Sequence, residues 1–348
     1  MVNVRGLARL GGLAVGLGVG AAVAHSPVAS ADSSSDWLSS IDSFLSGGAV
    51  PAPSSGLDLA ISFDGYSLIH EGSAQAYTTT GQYGLAIADG DGSYASAQGG
   101  TGDYALADGT NAYAVAGGES SDTGANYDSA IDIGNNDLPT TNEDDGAYAG
   151  NGDLDGGTGT GSYDTAIDIG SNTNDAALGV GGSHGAVAGA GGLFAAPGDG
   201  DHDTAIDVGN NSGANNGAIA VGGDGNYASE SGNTTGEYEG AYAGLGNDNT
   251  VVDDASYTNN FADGYAANGN DNYVSILGPE NSTATADEGN SNIAYVLDPF
   301  GSTASEATSG GANSDLAAVL LTDGTATATG TNLLYDILTA FGPESGTF

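Results

Sequence analysis

The chain contains no cysteine. No disulfide can hold its fold, and thiol catalysis and thiolate metal sites are closed to it. Basic residues are nearly as scarce. Arg5 and Arg9 are the only two, and both precede the first acidic residue, Asp32. Against 45 Asp and Glu, no Lys or Arg follows position 31. Such a chain repels phosphate backbones, which excludes nucleic-acid binding, and anionic membrane surfaces are equally unattractive to it. Lysine Schiff bases and arginine clamps on phosphate are closed as well. The carboxylates are expected to face water or to hold cations, because an unpaired charge is costly to bury. Proline is limited to 8 residues. After the N-terminal region no apolar run approaches the ~20 residues of a membrane-spanning helix.

Glycine, in contrast, accounts for 62 of 348 residues, and hydrophobic residues reach 39%. Regularly placed Tyr, Ile, Val and Ala between the glycines predict a narrow core in one elongated body rather than disorder. One phrase organises the chain: Tyr127-Asp-Ser-Ala-Ile-Asp-Ile-Gly, Tyr163-Asp-Thr-Ala-Ile-Asp-Ile-Gly and His202-Asp-Thr-Ala-Ile-Asp-Val-Gly. Its copies begin 36 and then 39 positions apart. Ile131 and Ile133 alternate with Asp128, Ala130 and Asp132, the period of a half-buried strand. The Gly that follows suits a tight turn.

The period near the C-terminus is shorter. Asn272-Tyr-Val-Ser-Ile-Leu, Asn292-Ile-Ala-Tyr-Val-Leu and Asp315-Leu-Ala-Ala-Val-Leu start 20 and 23 positions apart, with Thr/Ala runs between them. Each repeat then holds two strands, which predicts an all-β, elongated β-solenoid of about 20-residue coils. On that reading the 36–39 period is a doubled coil, and the phrase occupies alternate coils. Its carboxylates are then staggered rather than stacked. Tyr83, Tyr94, Tyr104 and Tyr113 open further short runs whose rings are placed to stack.

Residues 1–31 read as a secretory signal, with Arg5 and Arg9 before an apolar Gly11–Ala24 stretch and a small-residue site at Ala29-Ser-Ala31. Residues 32–56 hold an amphipathic helix (Trp37, Leu38, Ile41, Phe44, Leu45) and a Pro/Ser linker. The solenoid follows over 57–330. Residues 331–348 hold a second helix (Leu333, Leu334, Ile337, Leu338, Phe341) and a tail. The two helices are expected to cap the solenoid at both ends.

Chemistry is harder to find. His70, His184 and His202 lack the partners of a catalytic triad, and His202 fills the Tyr slot of the repeated phrase. A carboxylate-pair glycosidase is one alternative, although the acids are too many to single out a pair. Calcium is another. Asp89-Gly-Asp91, Asp153-Leu-Asp155 and Asp199-Gly-Asp201-His-Asp203 place carboxylates two apart, as oxygen-rich calcium loops do. Thr283/Thr285, Thr303/Ser305 and Thr325/Thr327 would form a flat hydroxyl ladder if aligned, of the kind found on ice-binding solenoids.

Gly246-Asn-Asp248 and Gly269-Asn-Asp-Asn-Tyr273 resemble fragments of the calcium-binding RTX nonapeptide. Gly181-Gly-Ser-His-Gly and Gly189-Ala-Gly-Gly192, in a lysine-free and glycine-rich chain, resemble the exported PE-PGRS proteins of mycobacteria, although the PE domain is absent. The Ala-x-Ala-x-Gly runs around 86–117 are similar to the head repeats of trimeric autotransporter adhesins. These resemblances imply surface exposure or adhesion rather than a reaction. The sequence therefore predicts a secreted or cell-wall structural or adhesive repeat protein, not an enzyme. Its implied partners are cell-wall or host-surface ligands and divalent cations.

Overall fold

The computed structural model describes residues 58–117, 125–136, 145–151, 161–171, 184–190, 200–210, 216–232, 240–244, 246–255, 262–267, 269–277, 282–287, 289–297, 305–310, 316–319, 324–329, 336–338 and 344–347. All belong to the unit Asp58–Phe348. The expected signal segment, first amphipathic helix and linker lie outside the described residues.

Every described element is a strand. In chain order they are β1 (Leu59–Phe63), β2 (Tyr66–Glu71), β3 (Gln75–Thr78), β4 (Leu85–Asp89), β5 (Tyr94–Ala97), β6 (Tyr104–Asp108), β7 (Tyr113–Ala116) and β8 (Ser129–Ile133). There follow β9 (Asp145–Asn151), β10 (Thr165–Ile169), β11 (His184–Ala190), β12 (Thr204–Val208), β13 (Asn216–Val221), β14 (Tyr227–Gly232), β15 (Gly240–Gly244), β16 (Thr250–Ala255) and β17 (Ala262–Ala267). The last are β18 (Tyr273–Leu277), β19 (Ser282–Asp287), β20 (Ile293–Leu297), β21 (Ser305–Gly310), β22 (Leu316–Val319), β23 (Gly324–Thr329), β24 (Asp336–Leu338) and β25 (Glu344–Thr347).

From β3 onward, successive strands alternate between a 13-stranded and a 12-stranded sheet. Two strands thus make one coil, and each coil lies on the one before it as in a β-solenoid. Pairing is parallel throughout except at the start, where β1 runs antiparallel to both β2 and β4. Parallel stacking in register lets identical side chains form columns about 4.8 Å apart.

The columns explain why this sequence forms so thin a body. Ala105, Ala130, Ala166, Ala205 and Ala228 stack in the first sheet. They face Ala114, Ala147, Ala186, Ala218 and Ala241 with Ala116, Ala149, Ala188, Ala220 and Ala243 in the second. All are buried and join one apolar cluster. Methyl groups let the two sheets approach closely, and each burial removes only a small apolar area. Stability is therefore collected from many small contacts and from the ladder hydrogen bonds.

The repeated phrase departs from expectation in two ways. First, its copies occupy consecutive coils. β8, β10 and β12 are direct neighbours, with Asp132, Asp168 and Asp207 at one register position. The 36–39 period is a single coil with a long connection, not two coils. Second, the large residues point outward. Ile131, Ile133, Ile167 and Ile169 are half-buried, whereas Ala130 with Asp132 and Ala166 with Asp168 are fully buried. In this phrase the alanines and carboxylates share the inward face and the isoleucines the outer one.

At the C-terminal end, residues expected to be helical form β24, which pairs with β22 through Ala318↔Ile337 and Val319↔Leu338. The coil beneath offers a complete row of backbone partners, which overrides the helical period of the apolar residues. The other positions of that expected helix lie outside the described residues.

Candidate functional site

The most specific chemistry of the molecule lies at one corner of each coil, just before the strand in the 13-stranded sheet. The tetrapeptides Gly100-Thr-Gly-Asp103, Gly161-Ser-Tyr-Asp164, Gly200-Asp-His-Asp203, Gly223-Asp-Gly-Asn226, Gly246-Asn-Asp-Asn249, Gly269-Asn-Asp-Asn272 and Gly289-Asn-Ser-Asn292 all occupy it; Ala125-Asn-Tyr-Asp128 is the one variant with alanine first. The glycine is demanded by space. A Cβ on Gly246 would lie 1.7 Å from the Gly269 carbonyl oxygen of the next coil. The third residue is left-handed, with φ of 62° at Tyr127, 65° at Tyr163 and His202, and 57° at Asp271.

Two side-chain ladders run through this corner in opposite directions. On the second position, each backbone N–H donates to the side chain of the following coil: Ser162 N–H to Asp201 Oδ1 at 2.9 Å, Asp224 N–H to Asn247 Oδ1 at 2.9 Å, and Asn247 N–H to Asn270 Oδ1 at 2.9 Å. On the fourth position the donation runs to the preceding coil. Asp164 N–H meets Asp128 Oδ1 at 3.0 Å, Asp203 N–H meets Asp164 Oδ1 at 2.8 Å, and Asn272 N–H meets Asn249 Oδ1 at 3.1 Å. Corner peptides that would otherwise lack partners are thereby satisfied coil by coil. Bonded residues along the fourth-position ladder are 25, 36, 39, 23, 23, 23 and 20 apart, so the corner is constant while the connections vary.

The fourth-position ladder faces inward. Asp103, Asp128, Asp164 and Asp203 are buried, as are Asn226, Asn249, Asn272 and Asn292 that continue it. Burial raises Asp128 to about 7, with Asp103 and Asp201 adding to the rise and backbone N–H donors opposing it. Asp164 rises to about 9 and Asp203 to about 8, again chiefly through burial. Asp103, nearer the end of the column, reaches about 6.

A second interior column runs along the far end of the same strands. Asp132, Asp168, Asp207, Glu230 and Asp253 share one register position on five consecutive coils, and all are buried. Asp132 Oδ2 accepts from Tyr113 N–H at 2.5 Å and from Asn136 Nδ2 at 2.9 Å. The opposing strands provide room through glycine: a Cβ on Gly185 would lie 2.8 Å from Asp168 Oδ2. The expectation that the carboxylates all face water or cations is thus corrected for both columns. The signal for the corner ladder was present in the sequence as a Gly-x-x-Asx tetrapeptide at seven of the eight coils from Asp103 to Asn292.

Aromatic columns line the outside. Tyr127, Tyr163 and His202 stack at 5.2 and 5.0 Å between centroids, which gives His202 the structural role expected from its slot. Tyr94 stacks on Tyr113 at 4.6 Å on the 12-stranded sheet.

Of the residues proposed as calcium ligands, Asp89, Asp91, Asp201 and Asp203 are described. Asp201 sits half-buried on the second-position ladder, while Asp203, two residues on, is enclosed within the coil. Asp89 lies beside Asp108 of the next coil and is raised to about 6 by burial and by Asp108 and Asp58. Asp91 is exposed and accepts from the Ser73 hydroxyl at 2.6 Å. Asp153, Asp155 and Asp199 lie outside the described residues. Among the described residues no group of three His, Asp or Glu is arranged to hold a metal ion.

The threonine ladder forms with a shifted register. Thr285 pairs with Thr308 and Thr308 with Thr327, whereas Thr283 and Thr325 flank Glu306. The glutamate interrupts the flat hydroxyl array expected from Thr303 and Ser305. No protein-family model, curated protein or solved structure matches this chain.

Proposed function

We propose that the chain is an exported structural or adhesive repeat protein of the cell wall or cell surface. One observation supports the reading above the others. The repeated geometry joins each coil to the next, through two opposed corner ladders and aromatic columns on the outside. The described carboxylates form columns within the sheets rather than an opposed pair across a groove, which favours a structural role over a glycosidase. On this reading residues 1–31 are removed on export and residues 36–46 cover the first coil. A basic coil of 20 residues, the shortest step of the ladder, carries connections of varied length. Cell-wall or host-surface ligands would meet the outer faces, which carry no Lys or Arg.

The test is fractionation of the producing cell with mass spectrometry of the chain. The reading expects a mature N-terminus at Asp32, recovery in the wall or medium, and labelling on intact cells. An uncleaved chain confined to the cytoplasm would overturn it.

A further inference from the structure

The corner ladder changes residue type halfway along. Asp103, Asp128, Asp164 and Asp203 occupy its first four coils, and Asn226, Asn249, Asn272 and Asn292 the next four. In both halves Oδ1 does the same work, accepting the N–H of the following coil. The halves differ in the other branch.

In the asparagine half that branch is a donor. Asn226 Nδ2 donates to the Gly223 carbonyl at 3.1 Å, Asn249 Nδ2 to the Gly269 carbonyl at 2.9 Å, and Asn272 Nδ2 to the Gly289 carbonyl at 3.3 Å. In the aspartate half the equivalent atom is Oδ2. On Asp128, Asp164 and Asp203 it is fully enclosed and has no hydrogen-bond partner. It is pressed against glycine: a Cβ on Gly150, Gly189 or Gly200 would come within 2.6, 2.5 and 2.6 Å of it. Gly200 precedes Asp203 by three residues, as Gly223 precedes Asn226. Gly150 and Gly189 pair with each other, and the same column continues through Val221 to Gly244, whose carbonyl receives Asn249 Nδ2 at 3.4 Å.

An ionised carboxylate has no use for such a place, since it can only accept. A neutral carboxylic acid presents an O–H where asparagine presents an N–H. We propose that Asp128, Asp164 and Asp203 form an internal ladder of neutral carboxylic acids continuous with the asparagine ladder, and that this makes the middle coils a proton-dependent seam.

The charged groups facing the row act in one direction, opposed by the backbone N–H donors and, at Asp203, by the Asn226 side chain. Asp103, Asp128, Asp164 and Asp203 face one another along it, and Asp201 and Asp224 approach from the second-position ladder. Asp132, Asp168, Asp207 and Glu230 lie further along the same strands, inside the same coils. Among the described side chains beside the row the one basic residue is His202, outside on the aromatic stack. No Lys or Arg exists after position 31 to stabilise an ionised row. Burial and mutual repulsion therefore both hold the proton on.

The experiment is thermal unfolding of the full chain between pH 4 and pH 9, read by the β-sheet circular-dichroism signal, for the wild type and for an Asp128→Asn, Asp164→Asn variant. The wild-type midpoint should fall as the pH rises. The variant should lose much of that dependence and melt above the wild type at pH 9, while an exposed control, Asp91→Asn, should keep the wild-type slope. Should the double variant fail to fold, infrared spectroscopy of the wild type at pH 7 decides. The proposal expects the carbonyl band of protonated carboxylic acids, shifted in heavy water and lost on unfolding. A wild-type midpoint indifferent to pH or rising with it, a variant with an unchanged slope, or a carbonyl band absent at pH 7 would each overturn the proposal.

Discussion

The coils from β8 to β16 and those from β18 to β24 share one backbone register and place different residues along it. At one register position the first group carries Asp132, Asp168, Asp207, Glu230 and Asp253, and the second continues it with Ile276, Val296, Val319 and Leu338. At the corner, the first group runs from Asp128, Asp164 and Asp203 to Asn226 and Asn249, and the second continues with Asn272 and Asn292. The comparison teaches that the parallel stack itself does not dictate what chemistry an interior column holds. It dictates only size, polarity of the corner branch, and repetition from coil to coil. Under the proposal above, the buried acid row answers to pH and the buried asparagine row does not.

The largest effect is expected from breaking the neutral group. Val274 is fully buried in the column that continues the alanines of the first sheet. Val274→Asp places a new carboxylate there without a corner ladder to receive it. Denaturant titration at pH 8 should show a loss of about 3 kcal/mol or more, and a clearly smaller loss at pH 4.

Next comes the wild type itself. Folding raises Asp103, Asp128, Asp203 and Asp164 from 3.8 to about 6, 7, 8 and 9. For acids raised in this way the folded state binds more protons than the unfolded one. Their contribution is complete below pH 4 and is lost as the pH climbs through 6 to 9. Calorimetry should find the unfolding midpoint lower at pH 9 than at pH 5 by roughly 10 °C or more.

Converting one asparagine sharpens the same contrast. Asn249→Asp removes the Nδ2 donor to the Gly269 carbonyl and adds an acid to the neutral half. At pH 8 urea unfolding should show a loss of ~1–3 kcal/mol, and near pH 4 the protonated acid should restore most of it.

Smaller still is the outer stack. Tyr163→Ala removes ring contacts at 5.2 and 5.0 Å and leaves a Cβ at φ 65°, at an expected cost of about 1 kcal/mol. Tyr163→Gly loses the same contacts but relieves the left-handed backbone, so it should melt above the alanine variant. The smallest effect is expected from calcium. Because Asp201 and Asp203 serve different ladders, millimolar calcium or its removal by chelator should move the midpoint by no more than about 2 °C.

Two strands per coil were legible from the runs at Asn272 and Asn292, because those coils are short and unbroken. The strand period of the central phrase was legible too. Which face it buried was not: Ile131 is more apolar than Asp132, yet Asp132 is fully buried beside Ala130 and Ile131 is only half-buried. The coil length of the middle region was misread because a long connection and a second coil add similar numbers of residues. The ligand-like spacing at 201 and 203 has a structural counterpart. Residues two apart at the corner belong to different ladders, one reaching forward and one back. The tetrapeptide that carries both ladders was visible only in fragments, at Gly246 and Gly269, where asparagine makes it conspicuous.

The central claim, that the interior of the middle coils stores protons, is tested most directly by potentiometric titration of the folded chain against the same chain unfolded in urea. The folded chain should release protons from Asp128, Asp203 and Asp164 between pH 6 and 9, where an unfolded chain has already lost its carboxyl protons. Superimposable folded and unfolded curves over that range would contradict it.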